Sequence, residues 1–250
     1  MISRRALLAA PLLAVPLRAE AAIPLAARPI DRLATGWWKA RHEAKLAELR
    51  TARPGLIWLG DSITQNFERA GPEPWAQYQA VWQRFYAPMR AVNLGFKGDA
   101  TCHLLWRLRH GEIAGIAPRA AVILIGANNL GRLHWSAEDS VAGIDAVVAE
   151  TRRQLPTTRI LLLGVLPSDR SPWTSEATAT INATLAHRPA LPGVTFQDVG
   201  ALYMRNGALD HSLFYDPKLP PPEPALHPTA EGMAKLAATI APTLARLMQA

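Results

Sequence analysis

Leu56-Ile57-Trp58-Leu59-Gly60-Asp61-Ser62-Ile63-Thr64 is an apolar run too short for a helix, ending abruptly in Gly-Asp-Ser. That is how a buried strand delivers a hydroxyl to the mouth of a sheet. Ser62 has two readings on this stretch alone. It is a helix cap, since Asp and Ser are the commonest residues at a helix start, or it is a nucleophile.

Upstream, residues 37–49 place Trp38, Lys45 and Leu49 at helical spacing with charges between them, which predicts an amphipathic helix with His42 on its surface. Downstream, strand-like and helix-like pieces alternate. Strands are expected at 91–94, ending at Gly95; at 121–125, ending in Gly126-Ala127-Asn128-Asn129; at 160–165; and at 194–199. Helices are expected near 75–85, 99–109, 137–153, 177–186 and 230–248. The runs at 121–125 and 160–163 are continuously apolar, the mark of strands covered by helices on both faces. This predicts an α/β protein built on a parallel sheet. The Pro-rich stretch 216–224 reads as a stiff, extended piece without regular pairing.

A chain of 250 residues suits one α/β domain with a full core, here expected over 22–250. The formal charge of +7 is scattered, and no basic helix with interleaved aromatics argues for nucleic acid. Residues 1–21 read as an export signal: Arg4-Arg5, an apolar run over 6–17, then Ala19-Glu20-Ala21 as a cleavage site. Ser3-Arg4-Arg5-Ala6-Leu7-Leu8 resembles a twin-arginine signal. A periplasmic or secreted protein is expected, without stable membrane insertion, because the apolar run is too short to span a bilayer. Cys102, the single cysteine, excludes an intrachain disulfide and reads as a buried thiol.

Three strand ends carry groups suited to one reaction: Ser62, Gly95 and Asn128. Ligands of open parallel sheets sit beyond the carboxyl ends of the strands, where the strand order reverses. With the first strand between the second and third, the backbone N–H groups of Ser62 and Gly95 and the Asn128 amide would surround one oxyanion. Singly, each has a plainer reading, since a glycine after a strand is usually a turn and a loop Asn bonds its own backbone. The base is expected to be His227, fixed by Pro228 at the first turn of the last helix. The connector from the fifth strand, about 25 residues at about 3.3 Å each, can bring it back.

Together these residues resemble the SGNH, or GDSL-type, serine hydrolases over about residues 36–248. Gly60-Asp61-Ser62-Ile63-Thr64 is similar to the first family block, Asn93-Leu94-Gly95-Phe96-Lys97-Gly98-Asp99 to the second, Gly126-Ala127-Asn128-Asn129 to the third and Leu226-His227-Pro228 to the last. Within these blocks Asp61 and Asn129 are expected to support the site. Leu105-Trp106-Arg107-Leu108-Arg109-His110-Gly111-Glu112 is similar to the catalytic subunits of platelet-activating-factor acetylhydrolase type Ib. The resemblance implies a three-layer α/β/α, flavodoxin-like fold of five parallel strands in the order 2-1-3-4-5. It also implies ester hydrolysis with no cofactor and no metal. One departure matters: the family's acid three positions before the histidine is here Pro224. Asp216 is the first choice for the acid, Glu223 the second, and a carbonyl or water holding His227 the third. A metal group of Asp210, His211 and Asp216 matches no familiar spacing. The expected activity is removal of acetyl or other short acyl groups from an alcohol, with carbohydrate esters the preferred substrates. A lysophospholipase or thioesterase, and a non-catalytic binding module on the same fold, are the alternatives. Oligomeric state is not written in the sequence.

Overall fold

Strand residues alternate between two apolar surfaces, and that alternation builds the layers. The structure is a computed structural model describing residues 22–249. Strands β1 (Leu56–Gly60), β2 (Ala91–Gly95), β3 (Ala120–Leu124), β4 (Arg159–Leu163) and β5 (Val194–Gln197) form one parallel sheet in the order β2-β1-β3-β4-β5. This is the expected order.

Ile57, Leu59, Ile123, Ile160 and Leu162 point to one face. There they meet α1 (Gly36–Thr51), α4 (Thr101–Arg109), α6 (Ala137–Gln154) and α7 (Pro172–Ala186). Leu56, Trp58, Val122, Leu161 and Leu163 point to the other, against α3 (Tyr78–Phe85) and α8 (Ala230–Gln249). Because both faces are covered, β1 and β3 are buried at every position. Two one-turn helices, α2 (Ser62–Gln65) and α5 (Ala127–Gly131), start where β1 and β3 end.

Four details depart from expectation. His42 is buried rather than on the surface of α1: its ring stacks on Trp38 with centroids 5.6 Å apart and meets Trp106 at 5.4 Å. Burial lowers its pKa to about 4, so it serves as a neutral aromatic in the core. Helix α7 begins at Pro172, ahead of the expected 177, because Ser171 Oγ caps it by accepting from Thr174 N–H and proline suits the first turn. A two-stranded hairpin, β6 (Met204–Arg205) and β7 (Ala208–Leu209), was not anticipated. Its turn is Asn206-Gly207, both at positive φ, as primed hairpin turns require. The Pro-rich stretch is not wholly extended, since a short 3-10 turn covers Asp216–Lys218. Cys102 is buried as expected, and burial pushes its thiol up to about 12. The leader expected at 1–21 lies outside the described residues, and no described helix is long and apolar enough to cross a membrane.

Candidate active site

Asp61 and Ser62 stand at the carboxyl end of the central strand β1, where Asp61 caps α2 by accepting from Ile63 N–H at 2.9 Å. The cap reading and the nucleophile reading therefore fall on different residues: Asp61 caps, and Ser62 is the first residue of the helix. Backbone N–H groups of a first turn have no partner within the helix, and the Ser62 amide has no acceptor among the described residues, which leaves it open to an anion.

From the far end of the chain, Ser62 meets His227, with Oγ 3.0 Å from Nε2. His227 Nδ1 lies 2.6 Å from Asp216 Oδ1. The other oxygen of Asp216 accepts the backbone N–H groups of Leu226 and His227. Burial alone would raise the Asp216 carboxyl. The His227 ring and the two amides outweigh it, holding the group below its ordinary value.

Local backbone pairing explains how an acid eleven positions upstream replaces one at Pro224. Tyr215 N–H donates to His227 O, Thr229 N–H to Leu213 O, and Phe214 bridges Pro228 in antiparallel fashion. Residues 213–215 and 227–229 thus run side by side, which sets Asp216 next to His227. The segment 217–224 loops out between them. Glu223 only returns its backbone N–H to Asp216 O. Of the two carboxylates considered, Asp216 is the one in contact with the imidazole.

The oxyanion side requires a correction at Gly95. Its N–H donates to Asn93 Oδ1 at 2.9 Å and is not available to a ligand. A Cβ on Gly95 would lie 2.3 Å from Gln65 N and 2.8 Å from Asp61 O. The glycine is there so that β2 can pack against the backbone of α2, not so that substrate can approach. Three residues on, Gly98 lines the cavity with Ser62, Asn128 and His227, and its N–H has no acceptor among the described residues. It occupies the third position of the turn closed by Asp99 N–H to Phe96 O, with φ +77°. Only glycine adopts that conformation without strain. The second glycine of Gly95-Phe96-Lys97-Gly98 was the available signal, overlooked because the first one directly follows the strand.

Asn128 Nδ2 donates to Asp99 O at 2.9 Å and lies 3.3 Å from Asp61 Oδ2. Asn129 takes a structural place, accepting Thr101 N–H and donating to Thr101 Oγ1, which ties α5 to the start of α4. Asp61 is fully buried, and desolvation raises its pKa to about 7. The residues of the conceivable metal group have separate partners: Asp210 with Ser212, His211 with Asp169, Asp216 with His227.

Beneath the site lies a charge network that sequence reasoning did not foresee. Asp99 accepts from Arg32, from Trp38 Nε1 and from Arg107. Arg107 also pairs with Glu112 and donates to Gly60 O, with its guanidinium 3.9 Å from the Phe96 ring centroid. The cavity above measures about 360 Å³. Trp75 and Tyr215 form an aromatic wall, and Tyr215 stacks on the His227 ring at 5.3 Å.

A serine–histidine–aspartate contact chain at the topological switch point of a doubly wound sheet has the arrangement that serine hydrolases use. The chain belongs to the GDSL-like Lipase/Acylhydrolase family, whose pattern it matches over residues 58–235. It is 30% identical over 235 residues to platelet-activating factor acetylhydrolase IB subunit alpha2 of Gallus gallus, covering 92% of each chain. The Homo sapiens subunit matches at the same identity and coverage. Among solved structures it resembles Est24, a carbohydrate acetylesterase from Sinorhizobium meliloti. The TM-score there is 0.59 at 15% identity, covering 78% of this chain and 100% of that one. Family membership makes the protein a hydrolase acting on ester bonds.

Proposed function

We propose that this chain is an exported serine esterase removing acetyl or other short acyl groups from carbohydrate alcohols. The observation that carries the mechanism is the unbroken contact chain from Ser62 Oγ through His227 to Asp216. Ser62 attacks the acyl carbon while His227 Nε2 takes its proton, and Asp216 holds the ring and steadies the imidazolium. The oxyanion accepts from the Ser62 and Gly98 amides and from Asn128 Nδ2, which keeps Asp99 O and gives up its longer contact to Asp61. On collapse, His227 returns the proton to the departing alcohol. Water then attacks the acyl-enzyme with His227 as base.

Short acyl groups suit a cavity of about 360 Å³ that must also admit the alcohol. Carbohydrate is favoured by the twin-arginine-like leader, since an exported enzyme meets envelope or plant polysaccharides. Likeness to a carbohydrate acetylesterase fold supports the same choice. The test is turnover of p-nitrophenyl acetate together with fluorophosphonate labelling. Labelling confined to Ser62 and turnover abolished in Ser62→Ala are expected. Neither turnover nor label would overturn the esterase reading and favour a binding module.

A further inference from the structure

Four cationic side chains line the cavity: Arg69, Lys97, Arg132 and Arg170. None forms an ion pair with an acidic side chain among the described residues, whereas seven of the other sixteen described arginines do. The two acids at the same cavity do not answer them: Asp216 is bonded to His227, and Glu223 sits on the Pro-rich loop without a cationic partner. Arg69 lies over Trp75, 4.6 Å from the ring centroid.

Arg132 and Arg170 come in from separate elements to the oxyanion side. A Cβ on Gly98 would meet Arg132 Nη1 at 2.6 Å, and one on Gly131 would meet Arg170 Nη1 at 3.0 Å. The Arg132 guanidinium therefore lies against the Gly98 backbone, and the Arg170 guanidinium against Gly131, one turn on from Asn128. Gathering like charges at one cavity raises the energy of the empty site, a cost that nothing in the packing requires. A bound anion removes it, and planar guanidinium forks match the oxygens of a carboxylate or phosphate.

We propose that the ester's alcohol portion carries an anionic group, a carboxylate or a phosphate, which Arg132 and Arg170 grip while Ser62 attacks the acyl carbon. The proposal rests on the esterase reading and narrows its substrate class. Arg69 and Lys97 extend the positive rim that draws such a substrate in.

The test compares three acetylated methyl glycosides: a neutral glucoside, a glucuronoside and a glucoside 6-phosphate. At low salt, kcat/KM is expected to favour at least one anionic ester over the neutral one by tenfold or more. Which of the two wins identifies the anion. Raising salt from 50 to 500 mM should erode that preference in the unmodified enzyme, a readout needing no variant. In Arg132→Gln and Arg170→Gln the ratio should fall toward one, while Arg246→Gln, on the exposed side of α8, should keep it. Turnover of p-nitrophenyl acetate with a ratio of one or below for both anionic esters would overturn the anion site and leave the esterase reading standing. If no ester is turned over, the esterase reading falls and thermal-shift titrations with methyl glucuronoside and with methyl glucoside 6-phosphate decide the anion site. A shift with either one that is lost in Arg132→Gln supports it, and no shift beyond that of the neutral glucoside with either one overturns it.

Discussion

Gly95 and Gly98 are three positions apart and answer to different constraints. Gly95 is held by backbone packed on every side, so Gly95→Ala forces β2 away from α2 and costs about 1–3 kcal/mol of stability as an overpacking defect. Chemical denaturation would measure it. Gly98 needs its positive φ and supplies an unpaired N–H beside Ser62. Gly98→Ala is expected to lower kcat by about 10²-fold or more, the scale of a lost oxyanion donor, with a smaller effect on stability than Gly95→Ala. The reverse ordering, with Gly95→Ala the poorer catalyst and Gly98→Ala the less stable fold, would reassign the donor. The two acids separate the same way. Asp216→Asn should reduce turnover by about 10⁴-fold, because an amide no longer fixes the ring tautomer. Glu223→Gln should stay within a few-fold, and equal near-parental rates for both would mean that neither acid orients His227.

At the scale of elements, the site is a meeting of three loop–helix junctions, and Arg107 on α4 clamps two of them. It reaches Gly60 O at the end of β1 and Asp99 in the turn after β2, fully buried, with Glu112 completing the pairing. Removing one member of a buried ion network leaves uncompensated charge, a cost of about 3–5 kcal/mol. Arg107→Met is therefore expected to lose stability on that scale and to loosen the Ser62–Gly98 geometry. Thermal unfolding of the variant, with its kcat compared at a temperature where it stays folded, checks both. The elements themselves were largely legible. Continuous apolar runs announced β3 and β4, Gly-Asp-Ser announced the junction after β1, and Gly-Ala-Asn-Asn the one after β3. What escaped was signalled by short polar pairs: Ser171-Pro172 opening α7 and Asn206-Gly207 turning the hairpin. The aromatic cage around His42 was not legible at all, because a histidine among charges on a helix looks exposed until the tryptophan of another helix arrives.

For the whole molecule, the convergence of Ser62 with His227 across 165 positions follows from strand order, which periodicity alone does not give and the family resemblance did. Packing across the molecule buries titratable groups whose pKa shifts make a global prediction. His42 and His103 are both lowered from 6.5 to about 4, chiefly by burial, and His103 Nδ1 also accepts Ala100 N–H. Between about pH 4 and 6.5 the unfolded chain binds these two protons and the folded chain does not, so they make stability rise with pH. Asp61 acts in the opposite sense. Burial raises it from 3.8 to about 7, so the folded state holds a proton that the unfolded state has lost, and stability falls as pH climbs through that window. Two protons against one leave a net rise of roughly 1.4 kcal/mol per pH unit near pH 5. Above about 6.5 the unfolded-state histidines and folded-state Asp61 lose their protons together, the opposing terms nearly cancel, and stability should level off near pH 7. Asp216, held low by His227, adds a further loss only as pH falls below the ordinary carboxylate range. Urea midpoints taken from pH 4 to 8 would trace the curve. In Asp61→Asn the rise should steepen to roughly 2.7 kcal/mol per pH unit near pH 5, because two protons are then opposed by none. A slope near pH 5 that is unchanged in that variant would place the opposing proton elsewhere.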